Sequence, residues 1–447
     1  MTADQDQLWF VPLGGTGEIG MNLNLYGHNG QWLMVDCGIT FDEPLTPDLN
    51  QRFRVVAADP TFIAQQKENL VGIIITHAHE DHIGGIAHLW RRLQAPIYTT
   101  SFTAEVLRRK LAQVGLDGQV PIVEVNFATE VSIGEFSVEW LPITHSLPEP
   151  SALLISTRVG NVFHTADWKI DYRPGIGQKF DASIFEQLAA RNVLAMVCDS
   201  TNALKAGHST SEYQCYQGLL KTVKNQPGRV VVTCFASNVA RLLAIAKVAQ
   251  QTQRYVAVLG RSLQNMVSVA RVCGYWPEDV ELIDPQHIGY LPREEVLAIA
   301  TGSQGEPRAA LARLAMDTHP ELNLDAGDSV LFSAMIIPGN ETDVERLLTQ
   351  FERRKIKVIL SETSEHPIHA SGHPYKDELM AMYRWVKPQI AIPVHGEAEH
   401  IEANARIAKK AGVMKSFAGQ NGDFFQLAPQ PMLKRKHIKV GRIPIEA

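Results

Sequence analysis

Residues 73–85 read IIITHAHEDHIGG, and the fold of the chain turns on how that run is read. Four side chains able to bind a metal, His77, His79, Asp81 and His82, fall within six residues. They follow an apolar, β-branched run at Val71–Ile75, which predicts a buried strand. In an extended segment, side chains at i and i+2 point the same way, so His77 and His79 can reach one metal. Asp81 and His82 come where the chain turns toward Gly84 and Gly85, and can aim at a second point close by. Imidazole and carboxylate suit zinc, manganese or iron with no cysteine. A lone histidine is ordinarily a polar surface residue, but that account does not cover four ligand-type residues gathered at one strand end.

Bulk properties narrow the class. The 447 residues have room for two to four domains. A composition of 45% hydrophobic and 20% charged residues is that of a globular protein, not a disordered one. No apolar run approaches membrane-spanning length, and MTADQDQLWF lacks the layout of a signal peptide, so no membrane association and a cytoplasmic location are expected. Cysteines 37, 198, 215, 234 and 273 are odd in number and never form CxxC, which fits a reducing compartment without a disulfide framework. A net charge of -6 excludes a broadly basic surface, so any polyanion must be gripped locally. The tail LKRKHIKVGR, residues 433–442, is basic, and a solvated arm accounts for it as well as binding does.

The first half reads as strands joined by turns. Leu8–Leu13, Leu23–Tyr26 and Gln31–Val35 are strand-like, with a hairpin turn at Asn29–Gly30. Gly15–Gly20 matches GxGxxG, but a dinucleotide fingerprint needs a helix directly after it, and here a hairpin follows. The glycines are read as a tight loop that can pass near an active site. Further strands are predicted at Gly72–Thr76, Ser137–Leu141, Asn161–His164 and Val193–Cys198, with helices at Ile86–Leu93 and Thr103–Val114. After about residue 207 the texture changes to βαβ alternation: strands at Arg229–Thr233, Tyr255–Leu259, Val280–Ile283, Val330–Phe332 and Lys357–Leu360, with a helix at Asn238–Gln251. A last strand, Gln389–Pro393, precedes a helix at Glu397–Ala411.

Four more candidates stand where strands end. His145 follows VEWLPIT, Asp167 follows NVFHTA, Asp199 follows VLAMVC and His395 follows IAIPV. Ligands at strand ends are held by a rigid scaffold. A two-metal site, with ions roughly 3.5–4 Å apart, needs a bridging carboxylate. His77, His79, His145, Asp81, His82, His395 and a bridging Asp167 would fill one. Each later residue taken alone reads as a satisfied loop residue.

These motifs resemble those of the metallo-β-lactamase superfamily. A further set resembles its β-CASP branch, and within that the ribonuclease J family: GGTGEIGMN (14–22), DCGITF (36–41), THAHEDHIGGI (76–86), HTADWKID (164–171), CDSTNA (198–203), CFASN (234–238), ATGSQGEP (300–307), IHASGH (368–373) and PVHGE (393–397). The resemblance implies an α/β fold, a metallo-β-lactamase αββα sandwich with an inserted β-CASP α/β domain. The core would be residues 1–206 and 366–447, and the insert 207–365. It implies two divalent metal ions as cofactors, zinc first and manganese as the alternative. The implied activity is 5′→3′ exonuclease with added endonuclease action on single-stranded RNA. A metal-bound hydroxide would be the nucleophile, and the products 5′-monophosphates.

Residue roles follow from the same resemblance. His373 matches the general-acid position, and Asp81 and Asp167 stand with it as catalytic. Asp36 and Asp199 match acidic positions expected to support ligand histidines. Ser237, Asn238, His369, Ser371 and Gly372 match a pocket for the RNA 5′-monophosphate; backbone N–H groups where a strand meets a helix suit phosphate, although FASN also reads as an ordinary N-cap. Arg261, Arg308 and Lys205 are cations within the same stretches, for which surface solvation is the simpler account. Two departures stand out: Ala166 replaces the glycine usual before the motif aspartate, and the chain ends about where a linker to a further C-terminal domain would begin, so it reads as a short form. Possible partners are a second copy of the chain, as a homodimer, and other RNA-processing proteins. Two other readings share the fold: a small-molecule metallohydrolase of lactonase or thioesterase type, which would need neither the insert nor His373, and a catalytically silent RNA-binding subunit, which would have lost ligands.

Overall fold

A computed structural model of the chain describes residues 3–42, 54–337 and 339–445. Its architecture follows from alternation along the strands. In the first sheet, Leu8, Phe10, Tyr26, Leu33, Val35 and Ile74 point to one side and Trp9, Val11, Leu25, Trp32, Met34 and Ile73 to the other. Side chains alternate faces along a strand, so a sheet apolar on both sides must be covered on both. The inner set packs on a second sheet through Val138, Trp140, Leu153, Ile155, Val162, Ala195, Val197 and Ile392. The outer set lies under the helices Ile86–Leu93 and Ser101–Gln113. The second sheet's outer residues, among them Leu154, Phe163, Met196 and Ala391, lie under the helices Ala182–Gln187, Lys376–Val386 and Ala398–Lys410. Two sheets between two helical layers make the αββα sandwich expected from the sequence.

The first sheet has eight strands, ordered 432–434, 424–428, 8–14, 23–28, 31–35, 70–74, 97–99 and 122–124. The second has seven, ordered 415–416, 390–394, 193–199, 160–164, 151–157, 136–142 and 130–133. Within it Gly160–His164, Val193–Asp199 and Ile390–Val394 are neighbours and parallel. Their carboxyl ends therefore open at one edge, where ligands of open α/β sheets gather. Asn29 and Gly30, at φ 44 and 79, form the expected hairpin turn between Leu23–His28 and Gln31–Val35. Gly15–Gly20 starts no helix, as the hairpin reading required.

A separate five-stranded sheet, 255–259, 296–300, 230–233, 329–332 and 357–360, is parallel throughout. Helices Glu212–Lys224, Val239–Gln251 and Arg261–Val272 cover one face, and Ala310–Ala315 with Glu341–Arg353 the other. This is the βαβ region read after residue 207. One expected strand is absent. Val280–Ile283 forms no strand: it hangs beside the edge strand by one bond, from the Ile283 N–H to the Val256 carbonyl. The turn at Pro277–Val280 precedes it, and Asp284 and Pro285 immediately cap the next short helix. That leaves too little chain to pair, although Val280 is still buried.

A buried ionic group ties the two α/β units. Arg241, on the helix Val239–Gln251, donates to both Glu212 carboxylate oxygens at 3.1 and 3.0 Å. It also donates to the Ser333 carbonyl at 3.0 Å and reaches the carbonyls of Ile368 and Ala370. Lys169, from the second sheet's layer, lies 3.1 Å from Asp171 and 3.9 Å from Glu212. All four charged side chains are buried. Removing one partner of such a pair strands the other charge away from water. We therefore expect Arg241→Met to cost about 3–5 kcal/mol. Adding Glu212→Gln should recover part of that loss in thermal or denaturant unfolding, and strict additivity of the two would contradict the pairing.

Candidate metal centre

The HAHEDH run follows the strand Leu70–Ile74 and ends within a one-turn helix, Glu80–Ile83, that carries Asp81 and His82. His77 leaves the strand buried, and His79 is the last extended residue before the turn. Gly38 makes the turn possible from outside, since a Cβ there would sit 1.7 Å from the Asp81 carbonyl oxygen.

Two ligand groups form, sharing one carboxylate. His77, His79, His145 and Asp167 present atoms within 4.8 Å of one another, and so do Asp81, His82, Asp167 and His395. Asp167 Oδ2 stands 3.3 Å from His82 Nε2 and 3.7 Å from both His77 Nε2 and His145 Nε2. Its Oδ1 stands 3.1 Å from His395 Nδ1. The structure thus brings together all seven sequence-read ligand candidates. A third group, Asp167, Asp199, His373 and His395, overlaps these.

Charge points the same way. Asp36, Asp167 and Asp199 are buried and Asp81 is partly buried, and among the described residues no Lys or Arg pairs with any of them. With no Lys or Arg beside them, these buried carboxylates depend on the surrounding imidazoles, or on metal cations, for countercharge. Burial pushes His77, His79 and His145 down, His79 to about 4, so these imidazoles are neutral at physiological pH, the form that binds metal. At His82 and His395 burial acts in the same direction but loses to the neighbouring carboxylates, Asp167 foremost, which hold both rings well above the ordinary histidine value. The same imidazoles hold Asp81 and Asp167 well below the usual carboxylate range against burial. The donor set fits two divalent ions.

Outer contacts aim the ligands. His82 Nδ1 donates to Asp36 Oδ2 at 2.7 Å, and Asp36 is held by the Thr76 N–H and hydroxyl. His145 Nδ1 donates to the Gly372 carbonyl at 2.6 Å, leaving Nε2 free toward Asp167. Orienting contacts of this kind fix which ring nitrogen faces a metal. Gly372 is constrained, because a Cβ would lie 2.4 Å from the His145 ring. Other contacts were not legible in the sequence: Asn22 Nδ2 lies 3.1 Å from His82 Nε2, Thr201 Oγ1 3.1 Å from His395 Nδ1, and Ser146 Oγ 3.2 Å from His79 Nε2. Gly15 contributes too, its carbonyl accepting from the His395 N–H, so the 15–20 loop does pass the site.

His373 Nδ1 donates to Asp199 Oδ2 at 2.8 Å and stands 3.9 Å from Asp167. Burial alone would push His373 down, but Asp199 and Asp167 reverse this and hold it above the ordinary histidine value. The 368–373 segment and CFASN meet at Arg241, whose own N–H is capped by Asn238 Oδ1 at 2.8 Å. Ser371 Oγ accepts from Asn202, and His369 Nδ1 is 3.5 Å from Arg241 Nη1. The helix start is close to the ligands, for the Ala240 N–H donates to the carbonyl of Ser146. A cavity of about 510 Å³ lies elsewhere, bounded by the 15–20 loop and residues such as Gln420, Arg435 and Arg442, and none of the ligand-type residues lines it.

Three residues at or beside the site adopt left-handed backbone: Asp36 at φ 64, Ala166 at 51 and His395 at 52. The glycine usual before the motif aspartate would take this conformation without strain, and Ala166 does not.

Comparison with known proteins agrees with this geometry. Residues 20–179 match the metallo-beta-lactamase superfamily, residues 227–351 the description "Ribonuclease J, beta-CASP domain", and residues 364–417 "Zn-dependent metallo-hydrolase RNA specificity domain". The chain is 44% identical over 445 residues to Ribonuclease J of Sinorhizobium meliloti (strain Sm2011 / Rm2011 / 2011), covering 99% of this chain and 78% of that protein. It is 34% identical to Ribonuclease J of Helicobacter pylori (strain B128), covering 97% and 62%, and 31% identical to Ribonuclease J2 of Bacillus subtilis (strain 168), covering 98% and 78%. A crystal structure of a protein of unknown function from Enterococcus faecalis V583 shares the fold at a TM-score of 0.65 and 16% identity, over 94% of this chain and all of that one, 100%.

Two expectations follow. Asp36→Ala should weaken metal binding roughly 10–100-fold, because it removes the acceptor that orients His82; unchanged content by elemental analysis after dialysis would contradict that role. Ala166→Gly should raise stability by about 1 kcal/mol through relief of the left-handed strain, read as a higher unfolding midpoint; a lower midpoint would show the strain is not there.

Proposed function

Since the chain belongs to the ribonuclease J family, we propose that it is a dinuclear-metal ribonuclease that degrades single-stranded RNA from the 5′ end and also cuts internally. The single observation that carries the reading is the shared Asp167 between two complete histidine–carboxylate groups, with His373 beside them. We place the sandwich core at residues 1–206 and 366–447 and the insert at 207–365, consistent with the matched segments and the five-stranded sheet.

His77, His79 and His145 would hold one divalent ion, zinc or manganese, and Asp81, His82 and His395 the other, with Asp167 between. When bound, such ions supply Lewis acidity that lowers the pKa of water and neutralises charge on the phosphoryl oxygens. The chain's own groups do the rest. His373, held by Asp199, is placed to give its proton to the leaving 3′ oxygen from Nε2, because Nδ1 is engaged. Asp36 and Asp199 act by orienting histidines. Products would carry a 5′-monophosphate.

Ser237, Asn238, His369, Ser371 and Gly372 are assigned to the terminal 5′-phosphate. The N–H groups of residues 238–241 are all engaged, to Phe235 O, Ser237 O, Ser146 O and Asn238 Oδ1. Free backbone donors in this loop are those of Ala236 and Ser237, which have no partner among the described residues. The proposed monophosphate preference rests on those donors. Among the described residues no helix is long and apolar enough to cross a membrane, which suits a proposed cytoplasmic enzyme acting alone, as a homodimer, or with other RNA-processing proteins.

The test is direct. Metal-loaded protein should release mononucleotides from single-stranded RNA, faster from a 5′-monophosphate than from a 5′-triphosphate end. Turnover of a lactone or thioester with no cleavage of RNA would overturn the reading. His373→Ala should keep its metal and slow cleavage about 10²–10⁴-fold; loss of metal in that variant would show a ligand role instead.

A further inference from the structure

Lys205 is a cation without an anion at the edge of the metal cleft. Its ammonium touches the Met335 sulfur at 4.0 Å and lies 5.5 Å from the centre of the Tyr375 ring. Among the described residues no carboxylate lies within ion-pair distance of it. Although Lys205 is exposed, partial desolvation pulls its pKa below the ordinary lysine value, and no neighbouring charge opposes that. Arg261 and Arg308, the other cations singled out in the sequence, are exposed like Lys205, but among the described residues no hydrogen bond or ion pair ties either to Asn202, Met335 or Tyr375.

The position is fixed relative to the chemistry. The Lys205 N–H donates to the Asn202 carbonyl, and the Lys376 N–H donates to the Lys205 carbonyl. The Asn202 side chain donates to Ser371 Oγ at 2.7 Å and reaches the His373 carbonyl at 3.4 Å. Tyr375 follows His373 by two residues. Met335 comes from the other side of the cleft, on the loop after the strand Ser329–Phe332 of the five-stranded sheet. Leu204, Met335 and Ile337 are exposed at 40%, 37% and 40%, so the lip offers apolar faces around one cation.

We propose that Lys205, with Tyr375 and Met335, forms a subsite for the single-stranded RNA next to the phosphodiester being cut, the ammonium taking a backbone phosphate and the flanking faces taking a base. A thioether and an aromatic ring are weak partners for an ammonium, and a phosphate oxygen is a strong one. A strand entering between the two units would draw Lys205 off Met335 and onto its backbone. Stacking on an aromatic face tolerates any base. This inference rests on the ribonuclease reading above.

The experiment compares wild type, Lys205→Ala, Lys205→Arg and Tyr375→Leu on 5′-monophosphorylated single-stranded RNA, in steady-state cleavage and in binding of a phosphorothioate oligonucleotide across a salt series. Lys205→Ala should raise KM about 5–20-fold, far more than it lowers kcat, and make log affinity less steep in log salt by about 0.7, the share of one phosphate contact on a single strand. Lys205→Arg should restore both, and Tyr375→Leu should raise KM without changing the salt slope. Thermal midpoints near wild type would show that the variants fold. If wild type binds and cleaves RNA while Lys205→Ala matches it in KM and salt slope, the subsite is wrong and the ribonuclease reading stands. If wild type neither binds nor cleaves RNA, the ribonuclease reading falls and takes the subsite with it.

Discussion

The cleft depends on one carboxylate. Asp167 turns Oδ2 toward His77, His82 and His145 and Oδ1 toward His395, so one buried carboxylate faces histidines of both ligand groups. Its negative charge, with those of Asp36, Asp81 and Asp199, has no Lys or Arg to answer it among the described residues. The sandwich would be expensive to build around such a cluster in the absence of cations. Left-handed backbone at Ala166 and His395 adds strain to the same place, and backbone strain gathers at sites where geometry serves chemistry. The packed sheets on either side hold that arrangement. Asp167, Asp199 and His395 leave the carboxyl ends of three adjacent parallel strands, so their separation is set by strand spacing.

The second unit bears on the site through the contacts that Arg241 makes. Arg241 joins the helix after CFASN to Glu212, to Ser333 and to the carbonyls of Ile368 and Ala370. The segment that carries His373 is therefore fastened to the five-stranded sheet on one side. On the other, the Gly372 carbonyl fastens it to His145. These contacts, with those of His373 to Asp199 and Asn202, tie the segment of the proposed general acid to both the inserted α/β unit and the sandwich.

Much of this was readable in advance, and the limits have physical causes. HAHEDH was plain because its ligands are close in sequence and the strand period aligns them. His145, Asp167 and His395 stood at strand ends, but only the company of HAHEDH and the family resemblance raised them above ordinary loop residues. Thr201 and Asn22 could not be found, since their partners lie 194 and 60 positions away; the 15–20 loop was read as able to pass the site, but its partner His395, 380 positions on from Gly15, was not. The failed strand at Val280–Ile283 shows the same limit from the other side: a short apolar run signals burial, and whether it pairs depends on neighbours the pattern does not name. The cost of alanine at position 166 became visible only with its φ angle.

The central claim is that Asp167 serves two metal positions at once. The most direct measurement is metal stoichiometry by elemental analysis, after equilibrium with zinc or manganese, for the wild-type chain and Asp167→Ala. The account predicts two ions per wild-type chain and a drop to fewer than one in the variant, with its fold intact by circular dichroism. Two ions retained in Asp167→Ala, or one ion in the wild type, would contradict it.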